Sequence, residues 1–507
     1  MLPAPTLVVG IIALAIRAVY RTGAVGTSLQ PNPLAPPAFD KVKVNYTFAQ
    51  ETLIKAVRIP TVSSDEGRFL EFHRFLEESF PLVRNSFSWE TIDKYSLLLT
   101  WKGSKKAAPV LFSAHQDVVP VSDADQWDQP PFSGAVADGF VYGRGTLDMK
   151  GILIAELIAV ETLIQAGHKP KRSYYFALGH DEETNGEGAF AIAKVLKKRK
   201  LRFDFVLDEG LPIAYGQFPG IKRPIAWIGV AEKGYLDLVI TAKSPGGHGS
   251  MPFSPNAIHL LSTALHRISR FRSKVSISDG PVRDMLAALA AEHPSFWFRL
   301  LMRNPWAVNL VLPWVPVKSI PGLAAMTRTT LATTVVKGGI AHNVLPTVAQ
   351  ATVNARIRPG ETAEDVLRKV SKLINAVPVA SPESSDEPLT ISMRLRSEDT
   401  NPSAVSSSTS SAFNILAGTI RHVFAEHKGA KDKEPQEILV APSLLMGRTD
   451  SASYRSIADH IYRFQPVTLY PEDVERIHGR NERIAVKDFN KMIDFYVALM
   501  LNTDSAE

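Results

Sequence analysis

Val110-Leu-Phe-Ser-Ala-His-Gln-Asp-Val-Val-Pro120 sets the architecture of this chain. Val110 to Ser113 read as a short buried strand, and His115 and Asp117 follow just past its carboxyl end, where apolar residues give way to polar ones. The same transition recurs twice. Tyr174-Tyr-Phe-Ala-Leu178 leads into Gly179-His-Asp-Glu-Glu183, and Phe205-Val-Leu207 leads into Asp208. Gly151 to Gln165 reads as a buried helix closed by Gly167, with Asp148 in the loop that enters it. Short strands alternating with longer helices up to about residue 230 indicate an α/β domain with a mostly parallel sheet covered on both faces. Residues distant in sequence converge at the carboxyl ends of such a sheet.

Length and composition bound the rest. At 507 residues the chain is too long for one compact core, so at least two domains are expected. It has no cysteine, which excludes disulfides, thiolate zinc sites and thiol nucleophiles, so any metal sits on nitrogen and oxygen. A formal net charge of +6 and one basic cluster, Lys197-Lys-Arg-Lys200, at a solvated helix end give no footing for a nucleic-acid partner. Leu2 to Ile16 is an apolar run broken by Arg17, so residues 1–26 read as a signal peptide or a membrane anchor and the chain as secreted or membrane-anchored. Pro31, Pro33, Pro36 and Pro37 make residues 27–40 read as a stiff, extended linker.

Five side chains at these places are metal ligands by type: His115, Asp148, Glu183, Asp208 and, near the C-terminus, His478. Residues i and i+2 of an extended chain point the same way, so Asp117 stands behind His115 and would fix its tautomer. Glu182 and Glu183 are adjacent and cannot share one task, so one binds metal while the other faces substrate as a proton shuttle. Taken singly, a His-x-Asp is more often structural and a Glu pair is more often a solvated face. Their order around successive strand ends is what argues for a site.

Through Tyr142-Gly-Arg-Gly-Thr-Leu-Asp148, Gly179-His-Asp-Glu-Glu183, Pro346-Thr-Val-Ala-Gln-Ala-Thr-Val-Asn354 and Arg476-Ile-His-Gly479, the chain resembles the co-catalytic dizinc metallopeptidases of peptidase family M20. Aminoacylase-1 and Gly-X carboxypeptidase belong to that family, and the likeness runs from about residue 45 to 500. Within it the chain is most similar to the mammalian N-fatty-acyl-amino acid synthase/hydrolase branch. The resemblance implies two zinc ions, with manganese or cobalt as substitutes, one on His115, Asp148 and Asp208 and the other on Asp148, Glu183 and His478. It gives Glu182 the role of general base.

It also implies a ferredoxin-like α+β lid and dimerisation domain over residues 233–398, inserted between catalytic parts at 41–232 and 399–507. In the homodimer so implied, His248 of the lid stabilises an oxyanion, while Asn343 and Arg356 hold the substrate's carbonyl and carboxylate. The chain departs from the branch in Gly447-Arg-Thr-Asp-Ser-Ala452, where the mammalian pattern is Gly-Asn-Thr-Asp-Ser-Arg. Arg448 and Asp450 are therefore further substrate-binding candidates, and the carboxylate clamp is relocated or the selectivity altered.

Local signals agree with a lid. Ser254-Pro255 reads as the N-cap and first turn of a helix with Ile258, Leu261, Leu265 and Ile268 as its apolar stripe, and Leu236 to Ala242 and Val348 to Ile357 read as strands. An apolar insertion at about 278–325 carries a stripe of Val282, Met285, Leu286 and Leu289, then Phe296-Trp-Phe298 and an aliphatic run to Val315. Three readings stand open for it: lid core or dimer interface, acyl-chain groove, or a face toward a membrane or lipid particle. Burying a fatty chain is worth roughly 0.8 kcal/mol per methylene.

The expected function is a metal-dependent amidohydrolase that cleaves, and by microscopic reversibility forms, the amide of N-acyl amino acids. N-fatty-acyl amino acids come first, so the partners are small and amphipathic: fatty acid, amino acid and their conjugate. The alternative is a carboxypeptidase or dipeptidase acting on short peptides. A catalytically idle, membrane-tethered binding protein is disfavoured because no ligand is missing.

Overall fold

The computed structural model describes residues 30–506, apart from 64, 66, 274, 276, 278–279, 312–320, 382, 395–399 and 426–436. Its larger sheet has eight strands in the order Ser88–Ile92, Ser96–Trp101, Tyr174–Gly179, Val110–His115, Phe203–Ala214, Ala458–Leu469, Ile225–Glu232 and Leu439–Leu445. The four central strands, from Tyr174–Gly179 to Ala458–Leu469, run parallel.

Alternation along each strand decides what covers the sheet. Leu97, Leu99, Phe112, Phe176 and Phe205 face the helices Tyr46–Val57, Lys150–Gln165, Ser411–Val423 and Val486–Ser505. Leu98, Leu111, Ala177 and Val206 face Ala189, Ile192 and Leu196 of the helix Glu187–Lys198. Lys150–Gln165 is apolar on nearly every side and accordingly buried almost throughout, as its sequence leads one to expect.

Gly234 opens a second unit. Its five strands lie in the order Thr330–Gly338, Val348–Ile357, Gly234–Lys243, Leu389–Arg394 and Val377–Pro378, neighbours among the first four being antiparallel. Helices Ala257–Ser269 and Ala363–Ile374 cover one face, burying Leu261, Ile268, Val366 and Val370 against Leu238, Ile240 and Val353. This is the α+β arrangement expected of the lid. The first helix starts later than its sequence suggests: Asn256 caps it by accepting from the His259 amide at 3.0 Å, and Ile258 faces solvent. An asparagine side chain competes with Ser254 for the cap and lies nearer the first hydrogen-bonded turn.

The apolar insertion departs from all three readings offered for its first stripe. Val282, Met285, Leu286 and Leu289, on the helix Pro281–Ala290, are buried against Ile225, Trp227, Leu439 and Ala441 at the edge of the larger sheet. They are therefore core of the catalytic body, packed on the outer strands of its sheet. Beyond them Phe296, Trp297 and Trp306 are exposed, and 312–320 fall outside the described residues.

The proline-rich stretch also differs from a free linker. Leu34 donates its amide to the Gly418 carbonyl at 2.9 Å, and Gln30 exchanges hydrogen bonds with the Val440 backbone at 2.7 and 3.1 Å. The arm passes so near Gly418 that a Cβ there would sit 2.8 Å from Leu34 Cβ. Among the described residues no helix is long and apolar enough to cross a membrane, and the segment at 1–26 lies outside them.

Candidate metal centre

His115 closes its strand with the ring already oriented. Nδ1 lies 2.9 Å from the backbone oxygen of Asp117 and 3.3 Å from its Oδ1. Facing two oxygens, Nδ1 carries the hydrogen, which leaves Nε2 to point at Asp148 Oδ1, 2.9 Å away. Asp117 is fully buried and does more than orient the histidine. It accepts from Ser63 Oγ at 2.7 Å and from the Glu182 and Glu183 amides at 3.2 Å each, so one carboxylate joins two strand-end loops.

Asp148 lies between the two histidines, with His478 Nε2 2.9 Å from its Oδ2. That same nitrogen is 3.0 Å from Glu183 Oε1. Two sets of converging ligand atoms result: His115, Asp148 and Glu209, and Asp148, Glu183 and His478. The second is the set inferred from the sequence. The first replaces Asp208 by its neighbour, and strand pairing gives the reason. Arg463 pairs with Asp208 but Phe464 pairs with Leu211, leaving Glu209 and Gly210 bulged from the ladder. A bulge re-aims side chains: Glu209 turns to His115, its Oε1 3.7 Å from Nε2, while Asp208 turns away and accepts from the Ser451 amide at 2.7 Å.

Seven carboxyl groups crowd this corner, those of Asp117, Asp148, Glu182, Glu183, Asp208, Glu209 and Asp450, and among the described residues no lysine or arginine forms an ion pair with any of them. Burial raises the Glu182 carboxyl well above the usual range; His115 opposes this, and Asp450, Asp148 and Glu183 add to it. Glu209 and Asp450 are raised for the same first reason. Asp148 and Asp117 go the other way: burial works against their charge, yet His115 and His478 hold the Asp148 carboxyl low and His115 does the same for Asp117. The carboxylates of Asp148 and Glu183 push His478 up to about 10. Glu183 Oε1 is buried and, despite its nearness to His478, has no hydrogen bond. Nitrogen and oxygen donors, excess negative charge and an orphaned carboxylate oxygen fit a pair of divalent cations.

A cleft of about 650 Å³ opens from Glu182, Glu183 and His478 past Tyr235, Arg356 and Arg448. Arg356 lies 4.5 Å over the Tyr235 ring and donates from Nε to Asn354 Oδ1 at 3.2 Å. Asp450 backs the cleft, its Oδ2 set where a Cβ on Gly179 would be only 2.3 Å away. His248 and Asn343 do not join this site. They lie on two adjacent exposed segments of the lid, where Gly249 donates to the Asn343 carbonyl at 2.7 Å and His248 Nδ1 lies 2.7 Å from Ser250 Oγ.

Residues 111–502 match the family model described as peptidase family M20/M25/M40. The chain belongs to peptidase family M20. Like this M20 chain, a probable carboxypeptidase S-like protein of Dictyostelium discoideum is similar along nearly its whole length, 36% identical with 94% of this chain and 90% of the other covered. The N-fatty-acyl-amino acid synthase/hydrolase PM20D1 of Xenopus tropicalis is 38% identical over 90% of this chain and 86% of its own. An M20 metallo-carboxypeptidase from Sulfolobus solfataricus shares the fold, with a TM-score of 0.64 at 18% identity, covering 90% of this chain and 99% of that one. Two groups serving the M20 site were not found by sequence reasoning, the Glu482–Arg144 pair and the Glu232–Arg463 pair. A lone glutamate or arginine inside a strand or loop carries no pattern, and His478-Gly-Arg-Asn-Glu482 offered only proximity to a ligand.

Proposed function

We propose that this M20 hydrolase cleaves, and in reverse forms, the amide bond of N-acyl amino acids, with N-fatty-acyl amino acids as the favoured class. The observation that carries the reading is the placement of Glu182, a buried carboxyl at the floor of the cleft beside two ligand sets that share Asp148. Two zinc ions held by His115, Asp148 and Glu209 and by Asp148, Glu183 and His478, or manganese or cobalt in their place, would supply Lewis acidity and an acidified water.

The chain's own groups do the rest. Glu182 takes the proton of the attacking water and returns it to the leaving nitrogen, a task suited to a carboxyl that burial has raised well above its ordinary range. Asp117 keeps Glu182 and Glu183 in place through their amides. Arg356 and Arg448 receive the substrate's carboxylate with forked donors. His248, exposed on the lid and outside the cleft, would donate to the oxyanion from a second copy of the chain, the role that the family resemblance implies for it. Asn343, on the neighbouring lid segment bonded to Gly249, would travel with it.

A second reading, short peptides, is favoured by the lining itself. Apart from Phe190, Tyr235, Ala452 and two glycines, every lining side chain is polar or charged. Turnover of N-oleoyl-phenylalanine against a dipeptide panel, with and without chelator, decides between them. Dipeptides cleaved far faster would overturn the lipid reading, and chelator-resistant turnover would overturn the metal mechanism for both.

A further inference from the structure

Two of the ligands sit on loops that nothing covalent holds together. Asp148 ends the loop Gly143–Leu147, and His478 lies near the C-terminus with a backbone φ of 60°, which a non-glycine residue adopts at a cost of about 1 kcal/mol or more. One buried ion pair spans both loops. Glu482, fully buried, accepts with Oε1 from the amides of Gly145, Leu147 and Asp148 at 3.0, 2.8 and 3.1 Å. Its Oε2 accepts from Arg144 at 2.6 Å, and the same guanidinium donates to the His478 carbonyl at 3.0 Å. The backbone adds a further tie, Gly143 N to Glu482 O at 2.8 Å.

We infer that Glu482, acting through Arg144, is a positioning residue that clamps the Asp148 loop to the His478 loop and so sets the affinity of the site for divalent cations. The inference rests on the metal-dependent reading above. Neither residue touches a ligand atom: Glu482 fixes the backbone that carries the shared Asp148, and Arg144 holds the carbonyl of His478 in its left-handed turn. Preorganisation is the physical effect, because a site whose ligands must first be gathered binds more weakly by that cost. The clamp is also hard to replace. A buried carboxylate taking three amides and a guanidinium leaves four orphaned donors if it is removed.

The test is zinc affinity of the full chain, measured by competition with a chelating dye, with folding checked by circular dichroism at the same temperature. In Glu482→Gln the remaining oxygen still accepts from the amides, but an NH2 now faces Arg144, so the link to His478 fails. The expected result is folded protein whose zinc binding is weakened about 10- to 100-fold. Arg144→Lys keeps the charge beside Glu482 but cannot also reach the His478 carbonyl, and should weaken one of the two zinc equivalents more than the other. Wild-type affinity for both equivalents in folded Glu482→Gln overturns the inference; if that variant does not fold, wild-type affinity in Arg144→Lys does so instead. A wild-type chain that takes up no zinc, manganese or cobalt overturns the metal-dependent reading itself.

Discussion

Glu232 offers a sharp test of how the cleft is held. It ends a strand of the larger sheet, is fully buried, and accepts from the Thr449 amide and hydroxyl, both at 2.9 Å, and from Arg463 at 3.0 Å. Arg463 is itself fully buried and donates from Nε to Ser451 Oγ at 2.9 Å. Replacing Glu232 by Ala leaves a guanidinium without its counter-charge and the Thr449 amide without an acceptor, while the Thr449 hydroxyl keeps Ser451 Oγ at 2.7 Å. Breaking a buried pair from one side costs about 3–5 kcal/mol, and the orphaned Thr449 amide adds to that cost. That is a large share of a typical total stability of about 5–15 kcal/mol.

Urea unfolding followed by tryptophan fluorescence should register this loss for Glu232→Ala and a similar one for Arg463→Ala. The double change Glu232→Leu with Arg463→Met should cost less than the sum of the singles by about 2–3 kcal/mol, since both charges leave together. The loop between the two donors carries Asp450 and adjoins Arg448, so KM should rise in every variant that still folds. Singles costing under about 1 kcal/mol, or a strictly additive double, would refute the reasoning.

Three further outcomes follow from the structure. Metal analysis should find Glu209→Gln short of one equivalent while Asp208→Asn retains two; the reverse result would cancel the role given to the strand bulge. Leu289→Ala, fully buried at the sheet edge, should cost about 2–5 kcal/mol in thermal or urea unfolding, whereas Trp297→Ser, 71% exposed, should stay within about 0.5 kcal/mol of wild type. Burial pushes the Asp488 carboxyl up to about 6 from an ordinary 3.8, so the folded chain holds a proton there that the unfolded chain releases. Stability from this group is therefore full below about pH 4 and falls as pH rises to about 6; Asp488→Asn should flatten that slope and add at most about 3 kcal/mol at pH 7, read from urea midpoints across pH 4–8.

What could be read in the sequence was whatever local pattern determines. Apolar runs ending in histidine or carboxylates pointed to His115, Glu183 and Asp208, and Val348–Ile357 alternates so regularly that its strand limits match the structure residue for residue. The choice of Glu209 over Asp208 was not readable, because it depends on pairing with Arg463, far along the chain. The stripe Val282–Leu289 was legible as a buried face, but periodicity does not say against what a face is buried, and here it is the catalytic sheet rather than the lid. Proline spacing likewise made residues 30–37 extended without revealing that Gln30 and Leu34 are bonded to the body.

That bonded arm turns a tether into a bearing. Gln30 is fixed beside Val440, and its Nε2 lies 3.5 Å from the carbonyl of Ala288, on the helix that leads into the one exposing Trp297. Whatever precedes Gln30 therefore leaves the enzyme from a set point on the rim of its sheet rather than from the end of a loose leash.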